Sequence, residues 1–281
     1  MEGPARLPGG ALPPSGADSA ANVPGDGAEP TQSPGLRTGI AYELKFELAQ
    51  QDVHRMKAWA RRHLRPDPHG EDGCYRVTSV YCDTPGFDVF HRTEGYRGSK
   101  LRLRRYGWAP FVFLERKVKR GDRVRKRRVE VAPEDLPRLA GYLAGTIPPA
   151  GWAAGWFLDR ALKKGVAPAC RVGYRRSAFF GMADGQSVRL TIDEDLIGVP
   201  ARGWEAPPLQ EGLQLLPGGA LLELKFQDRI PELFRGLLPE LPAQTARISK
   251  FRRCIQVCGV ATAAPTRAAG PRKVLMDPQE P

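Results

Sequence analysis

Tyr42-Glu43-Leu44-Lys45-Phe46-Glu47-Leu48, YELKFEL, has a second version far down the chain, Leu222-Glu223-Leu224-Lys225-Phe226-Gln227, LELKFQ. Each version alternates charged and apolar residues. On an extended backbone successive side chains point to opposite faces, so Glu and Lys share one face while Leu and Phe share the other. The fold turns on which face looks inward.

The same parity runs through other segments. In SKLRLRRYG, Lys100, Arg102 and Arg104 oppose Leu101 and Leu103. In FVFLERKVK, Glu115, Lys117 and Lys119 oppose Val112, Leu114 and Val118, with Arg116 breaking the alternation. In RVRKRRVEV, Lys126, Arg128 and Glu130 oppose Val129 and Val131. In SVRLTIDED, Arg189, Thr191 and Asp193 oppose Val188, Leu190 and Ile192. One arrangement is an ordinary sheet with its charged face in water. The other closes the strands into a barrel with charges lining the lumen and helices covering the aliphatic outside, which also removes vulnerable edges.

The charged rows favour the barrel. Glu-x-Lys occurs in three of them, at Glu43/Lys45, Glu115/Lys117 and Glu223/Lys225. Ser, Asn and Gln, which a solvated face tolerates freely, are scarce there. A lumen of Arg and Lys with a few carboxylates suits a chain of phosphates, because Arg grips phosphate oxygens with two donors and Lys acts as a point charge. The carboxylates add hard oxygen ligands for Mg²⁺ or Mn²⁺. Empty, such a lumen repels itself, so internal ion pairs are expected, and Glu-x-Lys spacing supplies them.

Composition agrees with an anionic partner. The chain has 281 residues, a net charge of +12, 41% hydrophobic and 26% charged residues. A core is affordable, and the basic excess points to nucleic acid, an acidic membrane surface or a phosphorylated molecule or polymer. There is no GxxxxGK[ST] or GxGxxG loop for phosphate. No stretch approaches the ~20 apolar residues of a spanning helix, and the N-terminus has no apolar signal region. Five cysteines without zinc-type spacing fit a reducing, cytoplasmic setting. Cys254 and Cys258, one helical turn apart, are read as packing residues.

The chain divides into a Pro/Gly-rich arm over 1–38, a folded region over 39–260 and a tail over 261–281, both ends being too poor in apolar residues to order. Within the folded region, strands outnumber helices, which predicts an antiparallel α+β domain. QDVHRMKAWARRHL and TARISKFRRCIQVCG read as helices, RPDPHGEDG as a loop, WFLDRALKKG as a candidate helix, and Gly121-Asp122 as a hairpin turn.

YELKF, YRVTSVYCDT, KLRLRRYG, FLERK, YRRSAF, VRLTIDEDL, LELKF and RISKF, in that order, resemble the VTC (vacuolar transporter chaperone) domain of the CYTH-like, triphosphate tunnel metalloenzyme superfamily. The resemblance implies an eight-stranded antiparallel tunnel barrel and a polyphosphate polymerase that moves the terminal phosphate of ATP onto inorganic polyphosphate. It assigns the basic site positions to Lys45, Arg102, Arg104, Lys117, Arg176, Arg189 and Lys250, with Arg247 where the family often has Lys, and the metal carboxylate to Glu223. Hydrolase members usually carry E-x-E-x-K on the first strand. Here Ala41-Tyr42-Glu43-Leu44-Lys45 lacks the first carboxylate, which weakens a triphosphate hydrolase without removing it.

The expected chemistry is in-line phosphoryl transfer, which needs positioning and charge neutralisation more than covalent help. Arg102, Arg104, Lys117, Arg176, Arg189 and Lys225 are expected to hold a triphosphate. Glu223, with Glu43, Glu115 or Asp193, is expected to hold Mn²⁺ or Mg²⁺. The four histidines are read as structural or solvated, Ser79, Tyr81 and Asp83 as packing or hydrogen-bonding residues, and the basic hairpin as solvated. A non-catalytic binder of polyphosphate or nucleic acid is the third reading, and the inward parity offers few aromatics for base stacking. A separate membrane partner is expected if product is exported.

Overall fold

The computed structural model describes residues 42–120, 123–147 and 151–261. The N-terminal arm, the tail from 262 and the Gly121-Asp122 turn lie outside them. One antiparallel sheet contains β1 (Tyr42–Ala49), β2 (Arg65–Pro66), β3 (Cys74–Asp83), β4 (Ser99–Tyr106), β5 (Val112–Arg120), β6 (Arg123–Val131), β7 (Ala167–Ala183), β8 (Gln186–Pro200), β9 (Leu213–Gln214) and β10 (Gly219–Phe226). Eight strands follow one another in space as β1-β10-β8-β7-β3-β4-β5-β6, with the short β2 and β9 attached to β7 and β8. The helices are α1 (Gln50–His63), α2 (Asp88–His91), α3 (Leu136–Leu143), α4 (Gly155–Lys164), α5 (Glu232–Leu237) and α6 (Lys250–Val257).

The repeated Glu-Leu-Lys-Phe now has an explanation. Its two copies pair antiparallel, with Glu43 opposite Lys225, Leu44 opposite Leu224 and Lys45 opposite Glu223. Antiparallel pairing reverses one copy, so the repeat is its own charge complement. Opposite charges across a strand pair stabilise it, whereas like charges would oppose it. β7 and β8 form a long hairpin through Asp184 and Gly185, both at positive φ (49° and 71°), as a two-residue turn of this hand requires.

The aliphatic faces lie outside, under helices. Phe46, Leu48, Phe179, Leu190, Ile192, Leu222 and Leu224 meet Val53, Met56 and Ala60 of α1 and Phe234 and Leu237 of α5. A second core joins Leu101, Leu103, Leu114 and Val172 to α3, α4 and α6 through Leu136, Leu139, Phe157, Leu158, Phe251 and Ile255. Each such large side chain contributes about 1.5–3 kcal/mol on burial.

The charged faces are concave. Glu43 on β1 and Lys117 on β5 lie 3.5 Å apart although these strands are first and seventh in the spatial order. In a flat sheet they would be separated by roughly 29 Å, at ~4.8 Å per strand. The sheet is therefore curled into a barrel-like tunnel. Among the described residues no ladder joins β6 to β1, so hydrogen bonding does not close the ring. The free edge of β1 is instead met by the segment before α6, where Ala246 N–H donates to the Lys45 carbonyl at 2.7 Å. This corrects the expected helix over TARISKFRRCIQVCG, which begins only at Lys250, with Ser249 extended as its cap. The preceding residues serve the strand edge rather than a helix. WFLDRALKKG is α4, ended by Gly165 at φ 58°.

Candidate active-site tunnel

Glu223 is the hub of the lumen. It projects from β10 and is 4% exposed. Lys45 reaches it at 2.6 Å, Lys225 at 3.1 Å, Lys250 at 3.3 Å and Arg176 at 4.0 Å. Lys250, from the first turn of α6, also meets Asp193 at 2.6 Å. Arg176 donates Nε and Nη2 to the two oxygens of Asp193 at 2.7 and 2.8 Å, a bidentate pair. Lys45 meets Glu43 at 2.9 Å, which in turn meets Lys117. Strands β1, β5, β7, β8 and β10 and helix α6 thus bring eight of the sequence-selected residues into one ionic network.

The remaining selected residues form two further groups and one outlier. Glu115 lies between Arg102, at 2.6 Å, and Lys126, at 2.5 Å. It is not in the Glu223 network. Arg104, beside it on β4, donates to Ser79 Oγ at 3.1 Å. Arg189 pairs with Asp67 and donates to Tyr75 Oη at 3.2 Å. Arg247 is exposed and lies apart from these groups, on a cavity lined also by Glu47, Ser249, Arg252 and Arg253.

The cations decide the protonation of the acids. Burial works to raise the Glu43 carboxyl, but Lys225, Lys45 and Lys117 outweigh it and hold it down at about 2. Burial likewise opposes ionisation of Glu223, and Lys250, Lys225, Lys45 and Arg176 keep it well below the usual carboxylate range. Against the same opposition Asp193 is held low by Arg176 and Lys250, and Glu115 by Arg102, Arg104 and Lys126. Lys117 moves the other way. Burial, then Lys225, Arg102 and Lys45, push it down to about 8 against the pull of Glu43.

Several contributors were missed in the sequence. Asp67 is 2% exposed and holds Arg189, but it sits in RPDPHGEDG, whose Pro and Gly signal only a loop. Tyr174 lies beneath Arg176 and Lys250, 5.3 and 5.0 Å from its ring centre, and shares the strand face of Arg176 two residues on. The expectation of few inward aromatics therefore needs correction. Tyr81 lies under Arg102 and Phe113 under Arg128, so these ring faces carry cations. Ser79 does hydrogen-bond within the protein, and Asp83 accepts the backbone N–H groups of Thr84, Val89 and Phe90, fixing the turn into α2. His69 faces Asp67 through Nδ1 at 2.7 Å.

Among the described residues no three acidic, His or Cys groups form a ready metal cage. Glu43, Glu223 and Asp193 are gathered through the lysines between them. Mg²⁺ commonly binds one or two carboxylates and takes its other ligands from substrate phosphates and water. This donor set fits that mode.

A curled antiparallel sheet encloses a tunnel lined by interleaved cations and acids. Residues 40–258 match the VTC domain, and the chain belongs to that family. Similar solved structures include the PH1819 protein of Pyrococcus horikoshii, at 15% identity over 76% of this chain and 99% of that one, with a TM-score of 0.42. A candidate adenylate cyclase of Bacillus halodurans shares 13% identity over 75% and 94%, with a TM-score of 0.45. A candidate adenylyl cyclase of Hippeastrum with a dominant triphosphatase activity shares 17% over 74% and 92%, with a TM-score of 0.41. No curated protein matches the chain in sequence. No helix among the described residues is long and apolar enough to cross a membrane.

Proposed function

We propose that this protein is a polyphosphate polymerase-like phosphotransferase, carrying the γ-phosphate of ATP onto a polyphosphate chain inside the tunnel. The observation that supports this reading is the pairing of the lumen acids with cations: Glu43 with Lys45 and Lys117, Glu115 with Arg102 and Lys126, Asp193 with Arg176 and Lys250, and Glu223 with Lys45, Lys225 and Lys250. Such pairing favours the ionised carboxylates. A carboxylate whose pKa is held low is a poor base for taking a proton from water. A terminal phosphate oxygen of a polyphosphate is already ionised and needs no base. The absent first carboxylate of E-x-E-x-K points the same way.

In this reading Arg102, Arg104, Lys117, Arg176, Arg189 and Lys225 hold the triphosphate in line with its acceptor. Lys45 and Lys250 keep Glu223 ionised and oriented. Glu223, with Glu43 or Asp193, would hold Mn²⁺ or Mg²⁺, which supplies charge neutralisation on the phosphate oxygens. Negative charge entering the tunnel gives each ammonium and guanidinium a second partner, so ion pairs within the lumen become substrate contacts. Five free cysteines are in keeping with the reducing, cytoplasmic setting this reading assumes. A separate membrane partner would handle export.

The test is stoichiometric. With ATP, Mn²⁺ and pyrophosphate, the protein should release ADP with little free phosphate. Release of one free phosphate per ADP would instead assign it as a triphosphate hydrolase.

A further inference from the structure

The loop between β2 and β3 carries one of the four histidines, and β7 holds the loop at both ends. The Asp67 N–H donates to the Ala178 carbonyl at 2.9 Å, and the Ala178 N–H donates to the Gly73 carbonyl at 2.9 Å. Between these anchors Asp67 Oδ1 accepts the His69 backbone N–H at 3.1 Å and faces His69 Nδ1 at 2.7 Å. An ionised carboxylate can only accept, so Nδ1 carries a proton and Nε2 is the nitrogen that gains or loses one. The other oxygen of Asp67 takes Arg189. One carboxylate thus serves a permanent cation and a titratable ring.

The three side chains differ in their access to water. Asp67 is 1% exposed and Arg189 12%, whereas His69 is 44% exposed. Solvent can protonate the ring while the carboxylate stays sealed. With the ring neutral, the charges of Asp67 and Arg189 cancel. With the ring protonated, Asp67 still orients the guanidinium through Oδ2, but its one charge now answers two cations. The group is then net positive, and its attraction for an incoming anion rises, most where water screens least.

Neighbouring elements add no competing switch. Tyr75 of β3 accepts from Arg189 at 3.2 Å, and burial pushes its hydroxyl up to about 12, so it stays neutral. Lys225 of β10 stands opposite Arg189 in register, and Arg176 of β7 stands opposite Tyr75. Both are basic. Asp72, in the same loop as His69, is turned to Arg61 of α1.

We propose that His69 is a positioning residue that makes the tunnel's hold on polyanions depend on pH, because its imidazolium takes up the charge of Asp67 and leaves Arg189 to answer phosphate. This rests on the reading above that Arg189 contacts the phosphate chain. Histidine is the residue type that ordinarily changes charge between about pH 5 and 8. Affinity for polyanions therefore strengthens as pH falls through that range. By reciprocity, a bound polyanion favours the protonated ring.

The test is calorimetric titration with tripolyphosphate at pH 6 and pH 8.5, on the full chain of the wild type, His69→Gln and His69→Lys. Gln keeps an N–H donor for Asp67 without the charge, and Lys keeps the charge at both pH values. Tripolyphosphate itself and Lys117, which burial pushes down to about 8, change with pH in all three proteins, so affinities are compared between proteins at one pH. At pH 8.5 the wild type should bind as His69→Gln does. At pH 6 it should bind about threefold more tightly than His69→Gln and approach His69→Lys, the scale of one partly exposed charge. A purely structural histidine would change affinity by the same factor at both pH values, and that result overturns the proposal. No binding by any of the three overturns it together with the phosphate reading of Arg189. The expected pattern in a protein that only releases orthophosphate from ATP would defeat the transfer reading and leave the proposal standing.

Discussion

Lys45 of β1 stands opposite Glu223 of β10 in register and meets its carboxylate at 2.6 Å. The pair joins the two copies of Glu-Leu-Lys-Phe at the point where α6 delivers Lys250. Strand pairing, tunnel lining and helix docking converge on one carboxylate.

Replacing that carboxylate exposes the convergence. Glu223→Gln leaves Lys45, Lys225, Lys250 and Arg176 facing a neutral amide. A buried ion network that loses one member typically loses about 3–5 kcal/mol. Urea unfolding should show a cost of that order, and turnover with ATP and Mn²⁺ should fall at least about 100-fold, as for loss of a principal electrostatic group. Lys45→Met should cost less stability, because Lys225 and Lys250 still neutralise Glu223.

Substitutions on the other strand face should act differently. Phe179 is fully buried between the sheet and α1. Phe179→Ala should destabilise by about 3–5 kcal/mol, while the protein that remains folded keeps its affinity for tripolyphosphate. A loss of affinity without loss of stability would place Phe179 in the lumen and contradict the inside-out arrangement.

The pH response has two limbs. The folded-state pKa of Glu43 is below its ordinary value of 4.5, at about 2. Its stabilising contribution is complete above pH 4.5 and is lost as pH falls towards 2. Glu223 and Asp193 act in the same direction, so acid should loosen the tunnel. Lys117 has the opposite sign. With a folded-state pKa of about 8 against an ordinary 10.5, it opposes folding below pH 8, and this cost is relieved as pH rises from 8 to 10.5. Unfolding free energy measured across pH should therefore fall on the acid side, and Lys117→Met should flatten the rise on the alkaline side.

On the proposed reading Asp67 is a positioning residue, acting on substrate only through Arg189, with which it pairs. Asp67→Asn keeps the shape and removes the charge that fixes the guanidinium. KM for ATP should rise about tenfold with a smaller change in kcat, the split expected when binding geometry is loosened. Equal loss of stability and kcat with unchanged KM would make the pair purely structural.

Gly198 tests the docking of α6. A Cβ there would lie 2.4 Å from Cys254 Sγ on that helix. Gly198→Ala must push the sulfur aside or move the helix carrying Lys250, at about 1–3 kcal/mol. Thermal unfolding measures the cost, and a variant as stable as the parent would show that α6 yields freely.

Much of this was legible in the sequence because one period of two sorts charged from apolar residues on strand after strand. Glu43, Lys45, Arg102, Lys117, Arg189 and Glu223 share one strand parity, and Leu44, Leu101, Leu114, Leu190 and Leu222 share the other. The rows were readable, but their partners were not. Nothing local says that Glu43 meets Lys117 across the lumen, or that Glu115 is held by Arg102 and Lys126, away from Glu223. Asp67 was hidden because loop residues carry no parity. The residues before Lys250 misled because a helical apolar pattern continues into a segment that the β1 edge holds extended.

The most direct measurement follows the γ-phosphate itself. Purified protein is given ATP labelled at that position, Mn²⁺ and pyrophosphate, and the products are sized on a gel. The account predicts a ladder of labelled polyphosphate chains that lengthens with time and disappears in Glu223→Gln. Label appearing only as orthophosphate, with no chain longer than the primer, would contradict it.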